Sequence, residues 1–225
     1  MMRHRKPFHL KKVMMVYNTV HILSSFFIFY KILTIGFLQG RMTLGCEVTD
    51  YSDNPESIKL LTVFWYTTLQ KIADLIETVF FILRKKYDQA SFLHIYHHVS
   101  TLAFSWATTK YAGGGMQAFP VMLNALVHTI MYIYYFLALS GPEMQRKLAK
   151  WKRLITVIQM VQFCIMLVHG AQAMLPDCES SKVLFGLFIM NIFLVFYMFY
   201  VFYQKTYVKR RQEEDELSFN GKKGV

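Results

Sequence analysis

Cysteine is scarce in this chain. The three present, Cys46, Cys164 and Cys178, make no CxxC pair, which argues against a structural zinc site. No soluble domain, low-complexity linker or internal repeat interrupts the sequence. No cleavable leader is evident either, because MMRHRKPFHLKK is too basic and runs into an apolar segment without a small-residue cleavage site. With nothing to divide it, the chain reads as one domain over 1–225. Acidic residues are also few, 14 against 25 Lys and Arg, for a formal net charge of +11. In a soluble protein that excess would suggest nucleic acid. Here the bases sit in short clusters between apolar runs, the pattern of membrane-protein loops, so nucleic acid is not an expected partner.

What is abundant is apolar surface. Hydrophobic residues make up 54% of the chain and aromatics 16%, gathered in long runs. Six segments are long enough to cross a bilayer, at 13–37, 58–83, 92–109, 119–140, 154–175 and 183–203. The second is unusually polar and the third is the shortest. Nineteen of the 25 basic residues fall on one side of these spans and four on the other, with Lys31 and Lys71 inside them. The bias predicts a basic arm (1–12) and a tail (204–225) that are both cytosolic. Cys46 and Cys178 share the opposite side, where an oxidising lumen would let them pair; two free thiols are the alternative. Lys222 and Lys223 near the C-terminus resemble the dilysine retrieval signal of endoplasmic reticulum membrane proteins, or else form a plain solvated basic tail.

The polar residues inside the spans carry the chemical signal. The second span holds Gln70, Lys71, Asp74, Glu77 and Thr78. Each charge costs about 2.5–3.5 kcal/mol on insertion scales, so such residues read as functional before they read as structural. Lys71, Asp74 and Thr78 share a helical face, and Glu77 lies about 100° round from Thr78. A Lys–Asp pair that merely ties helices together is the plainer reading. The third span opens with His94, His97 and His98, one face at i, i+3 and i+4. The fourth adds Asn124 and His128, four apart, so that Asn124 is expected to hydrogen-bond His128 and fix its tautomer; Met131 and Tyr132 continue the stripe. Thr156, Gln159 and Gln162 mark an inward face on the fifth. Singly, any of these is more often a helix–helix hydrogen bond than a catalyst.

Histidine boxes in membranes can hold iron, but a di-iron centre needs about eight nitrogen ligands. Of the eight histidines, His4 and His9 lie in the N-terminal arm, His21 on the first span and His169 near the far end of the fifth. Only four are expected to converge, which argues against di-iron. One metal held by His94, His97, His98 and His128 stays open, as does metal-free nucleophilic and acid–base chemistry.

Five blocks together resemble the very-long-chain fatty acid elongase family. They are the stretch from Lys71 through Asp74 to Glu77-Thr78, Phe80 to Lys86, His94-Ile-Tyr-His97-His98, Asn124 to Tyr132, and Thr156 to Phe163. Order and spacing match, from Arg5–Phe8 to near the C-terminus. Two features depart from the pattern. The family usually has Glu then Asp where this chain has Asp74 then Glu77, and its members usually have seven spans, of which the first lies outside a six-helix ring around the tunnel. This chain starts in what resembles the loop after that first span.

The resemblance implies an all-α membrane fold, six transmembrane helices ringed around a narrow substrate tunnel in the endoplasmic reticulum. It implies condensation of a long-chain acyl-CoA with malonyl-CoA to 3-oxoacyl-CoA, carbon dioxide and CoA, with no cofactor and no metal. His97 is the expected acyl carrier and His128 its partner. His94 and His98 would position malonyl-CoA, and Asn124 would orient His128. Lys71, Asp74, Glu77, Thr78, Tyr132, Gln159 and Gln162 would line the substrate site. Arg84, Lys85 and Lys86 would meet the CoA phosphates, or serve only as loop charge. Partners implied are the two CoA esters, the bilayer, other enzymes of the elongation cycle and, where the chain self-associates, a homodimer. An inactive or regulatory elongase-like remnant lacking the first span is the alternative.

Overall fold

The computed structural model describes residue 2 and residues 5–209. Lys222 and Lys223 lie outside the described residues. Every regular element among those residues is helical. Helix α1 spans Lys11–Ile32, α2 Pro55–Asp74, α3 Ile76–Leu83, α4 Phe92–Tyr111, α5 Ala118–Ala138, α6 Pro142–Lys147, α7 Ala149–Ala171 and α8 Lys182–Tyr203.

The starts of three long helices follow from local chemistry. Asn54 accepts the Glu56 amide ahead of Pro55, and Ser91 and Ser181 do the same for the amides of His94 and Leu184. Each satisfies a backbone donor that the first helical turn leaves unpaired.

The helices pack as a closed ring, in the order α1, α2, α4, α8, α7, α5 and back to α1. Consecutive helices run in opposite directions, so the connecting loops gather at two poles. One pole carries the loop 84–91 and the basic α6. The other carries the loop 38–54, the turn 112–114 and the loop before α8. A disulfide joins Cys46 to Cys178 at this second pole, with Cα atoms 5.7 Å apart and 132 residues between them in sequence. The two poles are called the basic pole and the cysteine pole below.

Burial is inverted relative to a soluble domain. Large apolar side chains point outward, for example Val168, Val183 and Met190 at 72%, 75% and 64% exposure. Polar ones point inward, among them Asn18, His21, Ser25, Lys71, Asp74 and Gln162. On α1 the buried residues Asn18, His21, Ser25, Ile28 and Ile32 recur every three or four positions, one stripe facing the ring. Such a wall suits lipid, which does not reward burying apolar groups between helices but penalises exposed polar ones. The chain is a multi-pass membrane protein.

Four stretches are long and apolar enough to cross a bilayer by length and composition: Lys11–Phe37, Gly115–Ala138, Ala149–Met174 and Lys182–Lys209. The other two expected spans, 58–83 and 92–109, do form helices of bilayer length, but fall short of that measure because they carry the polar residues of the centre. The second is also not continuous. It breaks at Leu75 between α2 and α3, where the amides of Leu75 and Thr78 take carbonyls three residues back rather than four.

The cysteine pole is closed by backbone. The turn 112–114 passes so close to the loop 38–54 that a Cβ on Gly115 would lie 2.7 Å from the Glu47 carbonyl oxygen, and Gly115 itself has φ +51°. Only glycine meets both demands. The Met116 amide donates to that same Glu47 carbonyl at 3.1 Å, and His169 Nε2 donates to the Met116 carbonyl at 3.0 Å. At the end of that loop, the Ser57 hydroxyl of α2 and the Ser52 amide hold the Asp50 carboxyl below its usual range. Labelling with a permeant maleimide in detergent should modify Cys164 alone without reductant, and Cys46 and Cys178 only after reduction. Modification of all three without reductant would refute the cross-link.

Candidate active site

The centre of the ring is built around Asp74, the last residue of α2. Its Oδ2 accepts from Lys71 Nζ at 3.2 Å, one turn back on the same helix. Its Oδ1 accepts from the Tyr132 hydroxyl of α5 at 3.1 Å and lies 3.2 Å from His21 Nδ1 of α1, a contact not aligned as a hydrogen bond. Tyr17 completes the cluster, its ring tilted against His21 with centroids 4.1 Å apart and its hydroxyl donating to the Ala73 carbonyl at 3.3 Å. Asp74 and His21 are each 2% exposed and Tyr132 is fully buried. Three helices therefore meet on one carboxylate.

Beyond the break at Leu75, two adjacent residues of α3 each reach a histidine of α4. Thr78 Oγ1 is 3.1 Å from His94 Nε2, and Glu77 Oε2 is 3.7 Å from His98 Nε2. The rings of His94 and His98 are 4.1 Å apart, with Phe81 against His94 at 5.0 Å. Glu77, His94 and His98 bring possible ligand atoms within 4.8 Å of one another. They are the residues that could hold a cation here, although the same atoms are also placed to be satisfied by protons and hydroxyls.

A cavity of about 100 Å³ runs through the ring from this centre towards the cysteine pole. Five helices line it, through Lys71 (α2), His97 and Ser105 (α4), Asn124 (α5), Gln162 (α7) and Asn191 (α8) among others. Of the four motif histidines, His97 alone is among its lining residues. His97 packs against His98 at 5.6 Å and Phe199 at 6.2 Å. His128 is buried with its ring 5.9 Å from Tyr132.

Several expectations need correction. Asn124 does not hydrogen-bond His128. It lines the cavity, and His128 Nδ1 has no side-chain or backbone partner; a shared helical face places two residues together without aiming them at each other. His21, counted outside the converging set, stands at the centre against Asp74. The signal is present in the sequence, since Tyr17, Asn18, His21 and Ser25 fall on one helical face of the first span. Gln162 does face the cavity, its Nε2 on the Met166 sulfur at 3.6 Å. Gln159 reaches the Met131 sulfur at 3.5 Å, at the α5–α7 seam. Arg84 and Lys85 are half-buried and Lys86 is exposed at the basic pole, where α3 ends.

Breaking a buried ion pair leaves one charge without its counterpart, at about 3–5 kcal/mol. Lys71→Met should therefore lower thermal stability in detergent, towards the smaller end of that range because His21 and Tyr132 still hold Asp74. Adding Asp74→Leu should recover most of the loss. A single variant as stable as the parent would show that the pair does not support the ring.

Comparison with known proteins places this arrangement. The family described as ELO: GNS1/SUR4 matches residues 1–215. The chain is 36% identical over 214 residues to a very long chain fatty acid elongase of Aedes aegypti, covering 94% of this chain and 60% of that one. It is 38% identical over 211 residues to very long chain fatty acid elongase 7 of Drosophila melanogaster, covering 93% and 64%. With human very long chain fatty acid elongase 1 the identity is 38% over 227 residues, covering 100% and 80%. The chain thus spans about three fifths of the length of the two insect relatives. Extent and identity together show that this chain belongs to the GNS1/SUR4 (ELO) family.

Proposed function

We propose that this chain catalyses the condensing step of fatty acid elongation, joining a long-chain acyl-CoA to malonyl-CoA with release of carbon dioxide and CoA. The observation that carries this reading is the position of His97. It lines the cavity, whereas His94 and His98 are engaged by Thr78 and Glu77, and His128 is packed behind on Tyr132. A neutral imidazole facing an apolar chamber is a nucleophile with nothing else to do.

In this scheme a ring nitrogen of His97 attacks the thioester carbonyl, and the sulfur leaves as CoA, taking a proton. The acyl group is then held as an acyl-imidazole, activated for carbon–carbon bond formation. Malonyl-CoA enters next. Loss of its carboxylate as carbon dioxide leaves an enolate, whose carbon attacks the acyl carbonyl and returns His97 free. His94 and His98, steadied by Thr78 and Glu77, would hold the malonyl carboxylate and thioester carbonyl. His128 would serve as the partner imidazole. Arg84, Lys85 and Lys86, at the pole where α3 ends, suit CoA phosphates too polar to enter the ring. Bilayer walls and the closed cysteine pole would keep water from the intermediate. The same reading sets the protein in the endoplasmic reticulum membrane with the basic pole in the cytosol, where both CoA esters are found.

Purified protein given acyl-CoA alone should release CoA and gain one acyl group by intact mass, with ping-pong kinetics when malonyl-CoA is added. His97→Ala should abolish the release. His128→Ala should slow turnover by about 10²–10⁴, the usual worth of an acid–base group. If CoA appears only once malonyl-CoA is present and no adduct forms on the turnover timescale, condensation is direct and His97 is a base.

The condensation has no redox step, and the reading assigns no metal to Glu77, His94 and His98. Activity should survive chelators, and elemental analysis of active protein should find no stoichiometric iron or zinc. Loss on chelation that a single metal restores would reverse that assignment.

A further inference from the structure

On the side of the cysteine pole the cavity is lined by Gln117, whose position is fixed from several sides. Its amide donates to the Gly114 carbonyl at 3.1 Å, within the short 3₁₀ turn Gly115–Gln117 that leads into α5. The preceding Met116 is pinned between the Glu47 carbonyl and His169, as described above, with the Cys178 sulfur 3.6 Å from its own. Gln117 is 1% exposed, lines the cavity, and its side-chain Nε2 meets no hydrogen-bonding group of the protein.

Most of the other polar groups lining the cavity are already engaged, and Asn124 and His97 are only half-buried. Thr67 and Thr108 donate to carbonyls of their own helices, Thr101 to the His97 carbonyl, and Asn191 accepts from Tyr96. Ser105 Oγ shares a hydrogen bond with Thr68 at 3.0 Å. The Gln117 amide is the buried exception. Left facing a methylene chain, an unpaired amide forfeits about 1–3 kcal/mol. A glutamine fixed at the end of a tunnel is thus poorly matched to a plain alkyl terminus.

We infer that the closed end of the chamber favours acyl chains carrying a hydroxyl near their distal end, which Gln117 recognises by hydrogen bonding. This rests on the reading that the chamber holds an acyl chain attached at His97. Thr108, close to the same turn, lies eleven residues beyond His97 on α4, about 16 Å along the axis at 1.5 Å per residue. Gln117 therefore meets the far part of the chain and not the reacting carbonyl. A hydroxyl both donates and accepts, so it satisfies the amide whichever of its two ends faces the cavity. A carboxylate at that depth would find no cation, since Lys71 is the one Lys or Arg among the lining residues and is held by Asp74.

The test measures kcat/KM of purified full-length protein with malonyl-CoA and two series of acyl-CoAs, saturated and ω-hydroxylated, matched over a range of lengths. At one length or more, wild type should use the hydroxylated chain at least as well as the saturated one. Gln117→Met, close in shape and without the amide, should prefer the saturated chain by about tenfold or more at that length, the factor expected for a buried hydroxyl left unpaired. Activity of the variant on saturated chains shows that it is folded. If it has none, wild type alone decides. A wild-type preference for saturated chains of tenfold or more at every length overturns the inference, as does a hydroxyl preference unchanged in Gln117→Met. Both outcomes leave the condensing function intact. Absence of elongation by wild type with either series overturns the condensing reading, and this inference with it.

Discussion

The Lys71–Asp74 pair lies inside a wall of apolar side chains, and most of the architecture can be derived from keeping it there. A charge facing lipid is expensive, so α2 must turn this face away from the bilayer and supply company for both partners. Asp74 gathers it from three helices: Lys71 from its own, Tyr132 from α5 and His21 from α1. The hydrogen bonds to Asp74 bring α5 against α2 across the ring, and the contact with His21 fixes the rotation of α1. The same demand explains why the polar stripes of α1, α5 and α7 face inward while residues such as Val16, Val20 and Leu23 of α1, Ile130 and Ile133 of α5, and Val161 and Val168 of α7 face out.

Just past the pair the helix breaks at Leu75, and α3 sets off in its own direction. Its Glu77 and Thr78 each reach one histidine of α4, while His97, one turn along α4 from His94, lines the cavity. The histidine box thus divides into two residues engaged by side chains of α3 and one turned to the space where a substrate would lie. The disulfide and the Gly115 crossing act at the other pole, where they hold three loops together and give the cavity a floor. Closely packed loops at one end and basic residues at the other make the chamber directional, with His94, His97 and His98 nearer the basic end.

How much of this the sequence revealed depends on the kind of information each residue carries. Lys71, Asp74, His94, His97, His98 and His128 could be found without a structure, because polar groups within apolar runs stand out against their background and helical periodicity assigns each to a face. The side on which Cys46 and Cys178 lie followed from counting spans. His21 was equally visible as a letter but was set aside, since nothing local says that α1 packs on α2 and α5. Asn124 and His128 share a face by spacing, yet spacing does not fix side-chain torsions, and Asn124 turned to the cavity.

What the sequence determined by itself is which segments are helical and apolar, which residues are too polar to face lipid, and the alternation of the poles, because these follow from composition and from a period of 3.6 residues. The tertiary structure alone decided the order of helices around the ring, the partners of Asp74, the break that splits the second span, and the placing of Gln117 on the cavity floor. Each of these depends on contacts between residues far apart in the chain, such as Asp74 with Tyr132 and Glu47 with Met116, and such contacts are set by the packing of whole helices and loops rather than by any local pattern.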